Sequence, residues 1–497
     1  MKKAVVLLVL LVLCMAGALA EDHMPLILKP GVYELEYSVM EDGTVMVAQC
    51  WGIPVELEIP EQIDGRPVTA IRDGAFVNDY YLTCVDLPDT LVSIGEDAFA
   101  NCINLKEIVL PDGLKKIGSG VFESCRMLES IRIPDGLEEI GTNPFVDCPV
   151  LVLDVSSEHP LFSWEDGALF LKEEKRLISF LGKQKTYILP QDTLTVGAEA
   201  FSGSGVEEVQ LPDGLQTIEA CAFCDCKKLK KICLPDSVEN LGKNAFLFCD
   251  ALEKVNIPVT VEQVEAEWFR GCEMLSEISL AEGHPNYILQ DGVLFSGDGG
   301  TLVWYPAGKP QEEYRAPAGV RQVADFAFHS SANLKKVIFP EGTESIGMDA
   351  FSCGLKLEEV ICPESLNEIE KYAFYNCRAL EHVVLPREMQ TIGEGAFCDC
   401  SALMDVQLPD GLTKLDEYLF CGCVALKEIV VPEGVQTLCE AAFYDCGELK
   451  ITLPTSLKTI EWDTFKDTKL QVIRQEGQHF LNAFPEGTVF LEAEDKE

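Results

Sequence analysis

A phenylalanine that recurs at a nearly constant spacing constrains the fold of this chain more than any other feature of its sequence. Fifteen phenylalanines form three blocks of four, four and seven, with steps of 23 residues and two steps of 22. A unit this short cannot bury its own apolar side chains, so such units fold by stacking on one another. The sequence therefore predicts one extended solenoid in place of the several globular domains that 497 residues would otherwise suggest. The repeated residues are Phe76, Phe99, Phe122, Phe145, Phe201, Phe223, Phe246, Phe269, Phe328, Phe351, Phe374, Phe397, Phe420, Phe443 and Phe465.

Each repeat contains two short apolar segments separated by a turn. After Phe99, the residues Leu105, Ile108 and Leu110 end in an alternating pattern, which is typical of a strand with one buried face. A Pro-Asp-Gly turn follows, and a second short strand ends at Ile117. A helical or 3₁₀ turn is then expected to carry the next phenylalanine. The pattern predicts an α/β-type repeat solenoid, mainly β, with coils of about 23 residues.

Two longer gaps separate the three blocks. The chain exceeds one period by 33 residues between Phe145 and Phe201 and by 36 residues between Phe269 and Phe328. In each gap, two apolar segments flank a polar turn, which predicts an inserted β-hairpin. We expect these inserts, at about 154–190 and 281–315, to brace the stack rather than to bind a ligand. The predicted strands are 168–171 with 176–180, and 293–296 with 301–305.

The two ends of the chain differ from the repeats. Lys2 and Lys3 precede an apolar run and an Ala-Leu-Ala site, so 1–20 is expected to be a cleavable signal peptide. Alternating apolar residues predict a hairpin cap within 21–66, and 67–475 is the predicted solenoid. The last segment, 476–497, is expected to form a cap and an acidic tail, and no later stretch is apolar enough to span a membrane.

The repeat unit resembles a known family. The pattern Ile-Pro-x-x-Leu-x-x-Ile-Gly-x-x-Ala-Phe-x-x-Cys-x-x-Leu, which covers about 67–475, is similar to the BspA-type leucine-rich repeat. The resemblance implies a bacterial surface or secreted protein, and some members of the family are adhesins that bind host proteins. It implies neither catalytic residues nor a cofactor.

Ten cysteines stand three residues after a repeat phenylalanine. One interpretation is that they are buried thiols, because leucine-rich repeats place Asn or Cys at an inward position. The alternative is disulfide bonding, which export would permit, including an occasional bridge among Cys221, Cys224, Cys233, Cys398, Cys421 and Cys439. Metal binding is disfavoured because the Cys-x-Cys spacing is narrower than in structural zinc sites. The phased residues are Cys102, Cys125, Cys148, Cys226, Cys249, Cys272, Cys377, Cys400, Cys423 and Cys446.

Charge and motifs exclude several functions. With 82 acidic and 39 basic residues the chain has a formal charge of −43, so nucleic acid is not an expected partner. The six histidines are scattered, and no nucleophile elbow, zinc-protease helix or phosphate-binding loop occurs. We therefore expect a protein that is not an enzyme and has no cofactor or metal.

The remaining candidate site is the solvent face of the first strand of each coil. Alternation directs one residue of each strand outward, and in the third block these residues form an apolar stripe beside charged ones. We expect this stripe to bind an extracellular or host-surface protein, since exposed apolar patches often mark partner surfaces. The alternatives are a passive surface spacer and a carbohydrate-binding module, with Trp164 and Trp304 near the inserts. The candidate residues are Ile338, Ile361, Val384, Gln407 and Val430, flanked by Lys336, Glu359 and His382.

Overall fold

The computed structural model describes residues 30–474 and 484–492. Several segments lie outside the described residues. They are the predicted signal peptide at 1–20, the start of the predicted cap at 21–29, residues 475–483, and the predicted acidic tail at 493–497. Within the described residues, the structure contains no helix long and apolar enough to cross a lipid bilayer. The chain is a solenoid that is almost entirely β, as the repeat predicts.

Each coil contributes two short strands, which we call the A strand and the B strand in chain order. The A strands of successive coils pair in parallel and form one face of the solenoid. Their five sheets are Glu56–Glu58, Cys84–Asp86 and Glu107–Ile108; Ser130–Ile133 and Val152–Val155; Thr186–Ile188, Glu208–Gln210, Lys231–Ile232, Lys254–Ile257 and Glu277–Leu280; Glu313–Arg315, Lys336–Ile338, Glu359–Ile361, His382–Val384 and Asp405–Val406; and Glu428–Val430, Glu448–Thr452, Lys469–Arg474 and Val489–Glu492.

The B strands form four further sheets, and three of these begin with antiparallel strands. The first begins with the predicted N-terminal hairpin, and the next two begin with the inserts. The strands are Tyr33–Val39, Val45–Gly52, Arg66–Ile71 (which also pairs with Gln62–Ile63), Ser93–Ile94, Lys116–Ile117 and Glu139–Ile140; Phe162–Glu165, Ala168–Leu171, Arg176–Phe180, Thr195–Val196, Thr217–Ile218 and Asn240–Leu241; Tyr287–Gln290, Val293–Ser296, Thr301–Trp304, Gln322–Val323, Ser345–Ile346, Glu368–Ile369 and Thr391–Ile392; and Lys414–Leu415, Thr437–Leu438 and Thr459–Ile460.

The repeat phenylalanines form continuous stacks inside the solenoid. All fifteen are at most 3% exposed, and those of adjacent coils within a block lie nearly parallel, with ring centroids 4.6 to 6.0 Å apart. Such spacing matches the preferred separation of stacked aromatic rings. Each coil is therefore stabilised mainly by the coils on either side of it.

The turn that carries each phenylalanine is not helical in most coils. Asp97 and Asn101, two residues before and after Phe99, have φ values of 52° and 61°, in the left-handed region that Asp and Asn tolerate best among residues with a side chain. This conformation recurs around most of the repeat phenylalanines. The prediction of a helical or 3₁₀ turn is therefore wrong for most coils; among the described residues, the 3₁₀ helix Ala266–Phe269 is the exception.

The inserts are antiparallel sheets whose central hairpins are buried on both faces. Ala168–Leu171 and Arg176–Phe180 form the predicted first hairpin, and Phe162–Glu165 adds a third strand that the sequence did not indicate. Leu169 packs into the core of the first block, whereas Phe170 packs into the core of the second. The second insert is equivalent, with Tyr287–Gln290 as its additional strand.

Aromatic residues of the inserts continue the phenylalanine stacks. Phe180 lies 4.8 Å from Phe201, measured between ring centroids. In the second insert the neighbours Trp304 and Tyr305 point to opposite faces. Trp304 stacks on Phe269 at 4.5 Å, and Tyr305 stacks on Phe328 at 5.0 Å. The inserts therefore replace the missing coils as packing partners for the blocks on both sides.

The ten phased cysteines are buried free thiols that connect adjacent coils. Each donates a hydrogen bond to the carbonyl of a phenylalanine in the preceding coil, at 3.0 to 3.3 Å. Burial raises the pKa of Cys377 to about 12, so this thiol keeps its proton at neutral pH. The structure contains no disulfide among the described cysteines, including the six named above as candidates for an occasional bridge.

Asp79 occupies the cysteine position of the first coil, and this predicts an unusual pH dependence. One of its carboxylate oxygens is buried without a hydrogen-bond partner among the described residues, and burial raises its pKa to about 6. Since the folded state binds this proton more tightly than the unfolded state, the carboxyl destabilises the fold as the pH rises from about 4 to about 6.

We expect Asp79→Cys to raise the free energy of unfolding by about 1 kcal/mol near neutral pH, a value reduced by partial solvation of the site. The gain should fall towards zero near pH 4. Denaturant unfolding of both proteins across this pH range measures it. A gain that is independent of pH would show that Asp79 is not the titrating group.

Candidate functional site

The A face of the third block carries the predicted site. Its strands pair in register, so Ile338 lies beside Ile361, and Ile361 lies beside Val384. The central residues of the same strands, Val337 and Val360, are fully buried. This alternation follows from the pleat of a strand that is covered on one side, and it directs the two isoleucines and Val384 to solvent.

The apolar row is exposed to different degrees along its length. Ile338 and Ile361 are half-buried, because each has a paired residue on both neighbouring strands, whereas Val384 is paired on one side only. Val384 is 63% exposed. Adjacent strands lie about 4.8 Å apart, so the three side chains form one continuous apolar strip, which we call the apolar row.

A second row, parallel to the first, is charged. Lys336 pairs with Glu359, and the imidazole Nδ1 of His382 lies 3.4 Å from a carboxylate oxygen of Asp405. Beside this row, Lys335 donates to Glu312 at 3.0 Å, and this hydrogen bond raises the pKa of Lys335. These pairs join equivalent positions of adjacent coils, and their side chains are between 31% and 79% exposed, so each contributes little to stability. They form a polar border along the apolar row.

Two predicted residues lie apart from this group. Gln407 is exposed and follows the strand Asp405–Val406, which is the last of its sheet. Val430 is 59% exposed but belongs to the next A sheet, which begins at Glu428–Val430. The structure therefore brings Ile338, Ile361 and Val384 together and places Val430 beyond a break in the ladder.

The equivalent row of the second block is more polar. Gln210, Cys233 and Ser279 are exposed there, and the side chain of Asn256 exchanges two hydrogen bonds of 2.7 Å with the backbone of Leu234. A bidentate backbone contact of this kind fixes the side chain on the sheet. A run of three adjacent apolar residues distinguishes the third block from the second.

The predicted aromatic site near the inserts is only partly available to a ligand. Trp304 is 4% exposed and stacks inside the solenoid, so its ring does not offer a surface to a glycan. Trp164 is half-buried on the strand Phe162–Glu165. Among the described residues, no group of three or more His, Cys, Asp or Glu side chains has a metal-binding arrangement.

Comparison with known proteins gives consistent matches to leucine-rich repeats. A family model described as "BspA type Leucine rich repeat region" matches residues 66–159, 182–291, 307–424 and 367–480. No curated protein matches the chain.

Several solved structures are also similar. A leucine rich cell surface protein from Faecalibacterium prausnitzii is 25% identical, with 89% of this chain and 93% of that chain covered and a TM-score of 0.36. A leucine-rich repeat protein from Bacteroides ovatus is 22% identical, with 93% and 98% covered and a TM-score of 0.33. The pneumococcal vaccine antigen PcpA is 20% identical, with 94% and 100% covered and a TM-score of 0.37.

Proposed function

Since the chain belongs to the BspA-type leucine-rich repeat family, we propose that it is an exported bacterial protein that binds another protein, without catalysing a reaction. The proposed location is the cell surface or the medium, reached through cleavage of the signal peptide at 1–20. The proposed partner is an extracellular or host-surface protein, and the proposed contact is the A face of the third block.

The observation that carries this proposal is the apolar row with its charged border. Burial of an aliphatic side chain in an interface contributes up to about 1.5–3 kcal/mol, depending on how much surface it loses to the partner. Val384 has the most to lose, and Ile338 and Ile361 extend the same strip. The charged row beside it would orient the partner and reject partners of unsuitable charge.

The first experiment identifies the partner. Immobilised mature protein is incubated with host extracellular matrix and mucus, and the retained proteins are identified by mass spectrometry. We expect a retained protein that binds the soluble solenoid saturably in a separate titration. If no protein is retained beyond what a control surface retains, a passive surface spacer becomes the better account. Retention of glycans alone would instead favour the carbohydrate-binding alternative.

The second experiment tests the proposed face. We expect Ile338→Asp combined with Ile361→Asp to weaken binding of the captured partner by at least about tenfold, because the double variant places two carboxylates in the apolar row. Far-ultraviolet circular dichroism and thermal unfolding check that the variant folds.

A matched control uses the A face of the first block. Val109 and Val152 are 76% and 56% exposed there, and Val109→Asp with Val152→Asp adds the same charge on the same kind of surface. This control should bind the partner as the unchanged protein does. Equal affinity of both double variants would exclude the apolar row as the interface.

A further inference from the structure

The B sheet of the second block ends at an open edge. Asn240–Leu241 pairs with Thr217–Ile218 on one side and has no partner strand on its other side within 30–474 and 484–492. Leu241 is half-exposed, whereas its counterpart Ile218 is fully buried. An unpaired edge leaves backbone carbonyls free to accept hydrogen bonds.

The geometry of the preceding coils shows which carbonyls are free. Gln216 and Ile218 accept hydrogen bonds from the backbone of the next coil, at 3.0 Å from Glu239 and 2.7 Å from Gly242. Their counterparts one coil later are the carbonyls of Glu239 and Leu241. Among the described residues neither of these carbonyls receives a hydrogen bond.

The second insert explains why the next coil does not cover this edge. The segment 261–264 would be the following B strand, but side chains of the insert hold it. His284 Nε2 lies 3.1 Å from the carbonyl oxygen of Val261, Asn286 donates to Glu262 at 2.8 Å, and Tyr287 accepts a hydrogen bond from the backbone of Val264 at 2.9 Å. Between the contacts of Thr260 with Val238 and of Phe246 with Trp268, the segment 261–264 therefore makes no backbone hydrogen bond to Asn240–Leu241.

A cleft of about 790 Å³ lies against Asn240–Leu241 and the segment 259–265. This volume is within the range of ligand-binding clefts. Leu241, Val261 and Trp268 contribute apolar surface to its lining. Trp268 is 3% exposed, and its indole N–H has no acceptor among the described residues. Because this N–H is itself buried, a ligand in the cleft meets solvent-accessible apolar side chains such as Leu241 and Val259 instead.

The cleft is also strongly acidic. Four glutamates line it, and its lining contains no Lys, Arg or His. Arg176 neutralises Glu219 through two hydrogen bonds of 2.5 and 2.7 Å. Glu239, Glu262 and Glu265 have no such pair in the described residues, and burial together with Glu267 raises the pKa of Glu265. The charge of the cleft therefore complements a cation.

We propose that this cleft binds an extended, basic segment of a partner protein, which adds as a strand to the open edge at Asn240–Leu241. The segment donates its backbone N–H groups to the carbonyls of Glu239 and Leu241, as in strand addition to other exposed sheet edges. Alternate side chains then point in opposite directions. Apolar ones contact Leu241, and lysine or arginine side chains reach the glutamates.

The test uses the full mature protein and an acetylated, amidated hexapeptide of alternating lysine and valine. We expect saturable binding at one site by calorimetry at about 0.15 M ionic strength, where contacts between distant charges are screened. Glu239→Gln with Glu262→Gln should weaken this binding at least about tenfold. Both side chains are exposed, so the double variant should fold normally.

Two controls separate strand addition from attraction to an acidic protein. Glu364→Gln with Glu388→Gln removes two exposed glutamates of the third block and should change the affinity by less than about twofold. In a second peptide, the backbone amide nitrogens of the lysine residues are methylated. This peptide keeps its charge but loses those backbone N–H donors, and it should not bind. Equal weakening by both double variants, or unchanged binding of the methylated peptide, would overturn the proposal.

This cleft and the apolar row are independent. The Ile338→Asp and Ile361→Asp double variant should bind the hexapeptide with unchanged affinity, even where it loses the partner proposed above. Loss of hexapeptide binding in that variant would show that the peptide binds at the apolar row and not in the cleft, and would contradict the proposal for the cleft.

Discussion

Replacement of Phe374 by alanine is expected to lower the free energy of unfolding by about 3–5 kcal/mol, the usual cost of truncating a buried aromatic side chain. Phe374 is fully buried, and its ring stacks on Phe351 at 5.1 Å and on Phe397 at 5.3 Å. The truncation removes both contacts and leaves a cavity between two coils. Because neighbouring coils carry most of the stability of a repeat array, the loss should be concentrated in the third block.

Denaturant unfolding followed by circular dichroism measures the loss, and hydrogen exchange locates it. Trp462→Ala is the matched control, since Trp462 is a large aromatic residue of the same block but is 72% exposed. It should cost less than about 0.5 kcal/mol, as is usual for surface substitutions. A loss below about 1 kcal/mol for Phe374→Ala would contradict the stacking of buried rings as the main source of cohesion.

Leu169→Ala should cost about 2–5 kcal/mol, and its effect should appear on one side of the first insert. Leu169 is fully buried and faces the core of the first block. Leu177, on the neighbouring strand of the same hairpin, is also fully buried but faces the core of the second block. Hydrogen exchange should therefore show faster opening of the first block in Leu169→Ala and of the second block in Leu177→Ala.

The two leucine variants serve as controls for each other, because they remove the same side chain from one hairpin. If both variants open the same block, the insert does not separate two cores. If both open the two blocks equally, the insert transmits any disturbance and the blocks unfold as one unit. Either result would contradict the description of the insert as a sheet with two independently packed faces.

The sequence predicts those parts of the fold that local pattern determines. The Phe period is visible because it recurs fifteen times, and the alternation around Ile361 and the hairpin strands 168–171 and 176–180 are visible within a few residues; the structure contains all of them. The same pattern identifies the exposed direction of Val384, since a strand covered on one side directs alternate residues outward.

The parts that the sequence did not predict depend on contacts across longer distances. The strand Phe162–Glu165 pairs with Ala168–Leu171, and its residues alternate between apolar and polar, but over four residues only, which is too short a pattern to identify a strand without its partner. Trp304 is a residue of the second insert and is buried because it stacks on Phe269. No repeat position indicates this contact. The B sheet of the second block ends at Asn240–Leu241 because side chains of the insert bind the backbone near Val261. The break before Val430 has no sequence signal that we can identify.

Contacting residues lie within a narrow range of sequence separations, and this has a consequence for the kinetics of folding. The thiol hydrogen bonds between coils join residues 25 or 26 apart, and most ion pairs between coils join residues 20 to 24 apart. Longer links occur at the first junction, where Asn143 donates to Glu199, 56 residues away, and Arg176 pairs with Glu219, 43 residues away. A separation of 23 residues in a chain of 497 corresponds to a relative contact order of about 0.05, below the range of helical bundles. Folding can therefore start in any pair of adjacent coils and spread along the axis. Each insert is a place where that spread must wait for a more distant segment, since Arg270 also lies over the ring of Phe326, 56 residues away, at the second junction.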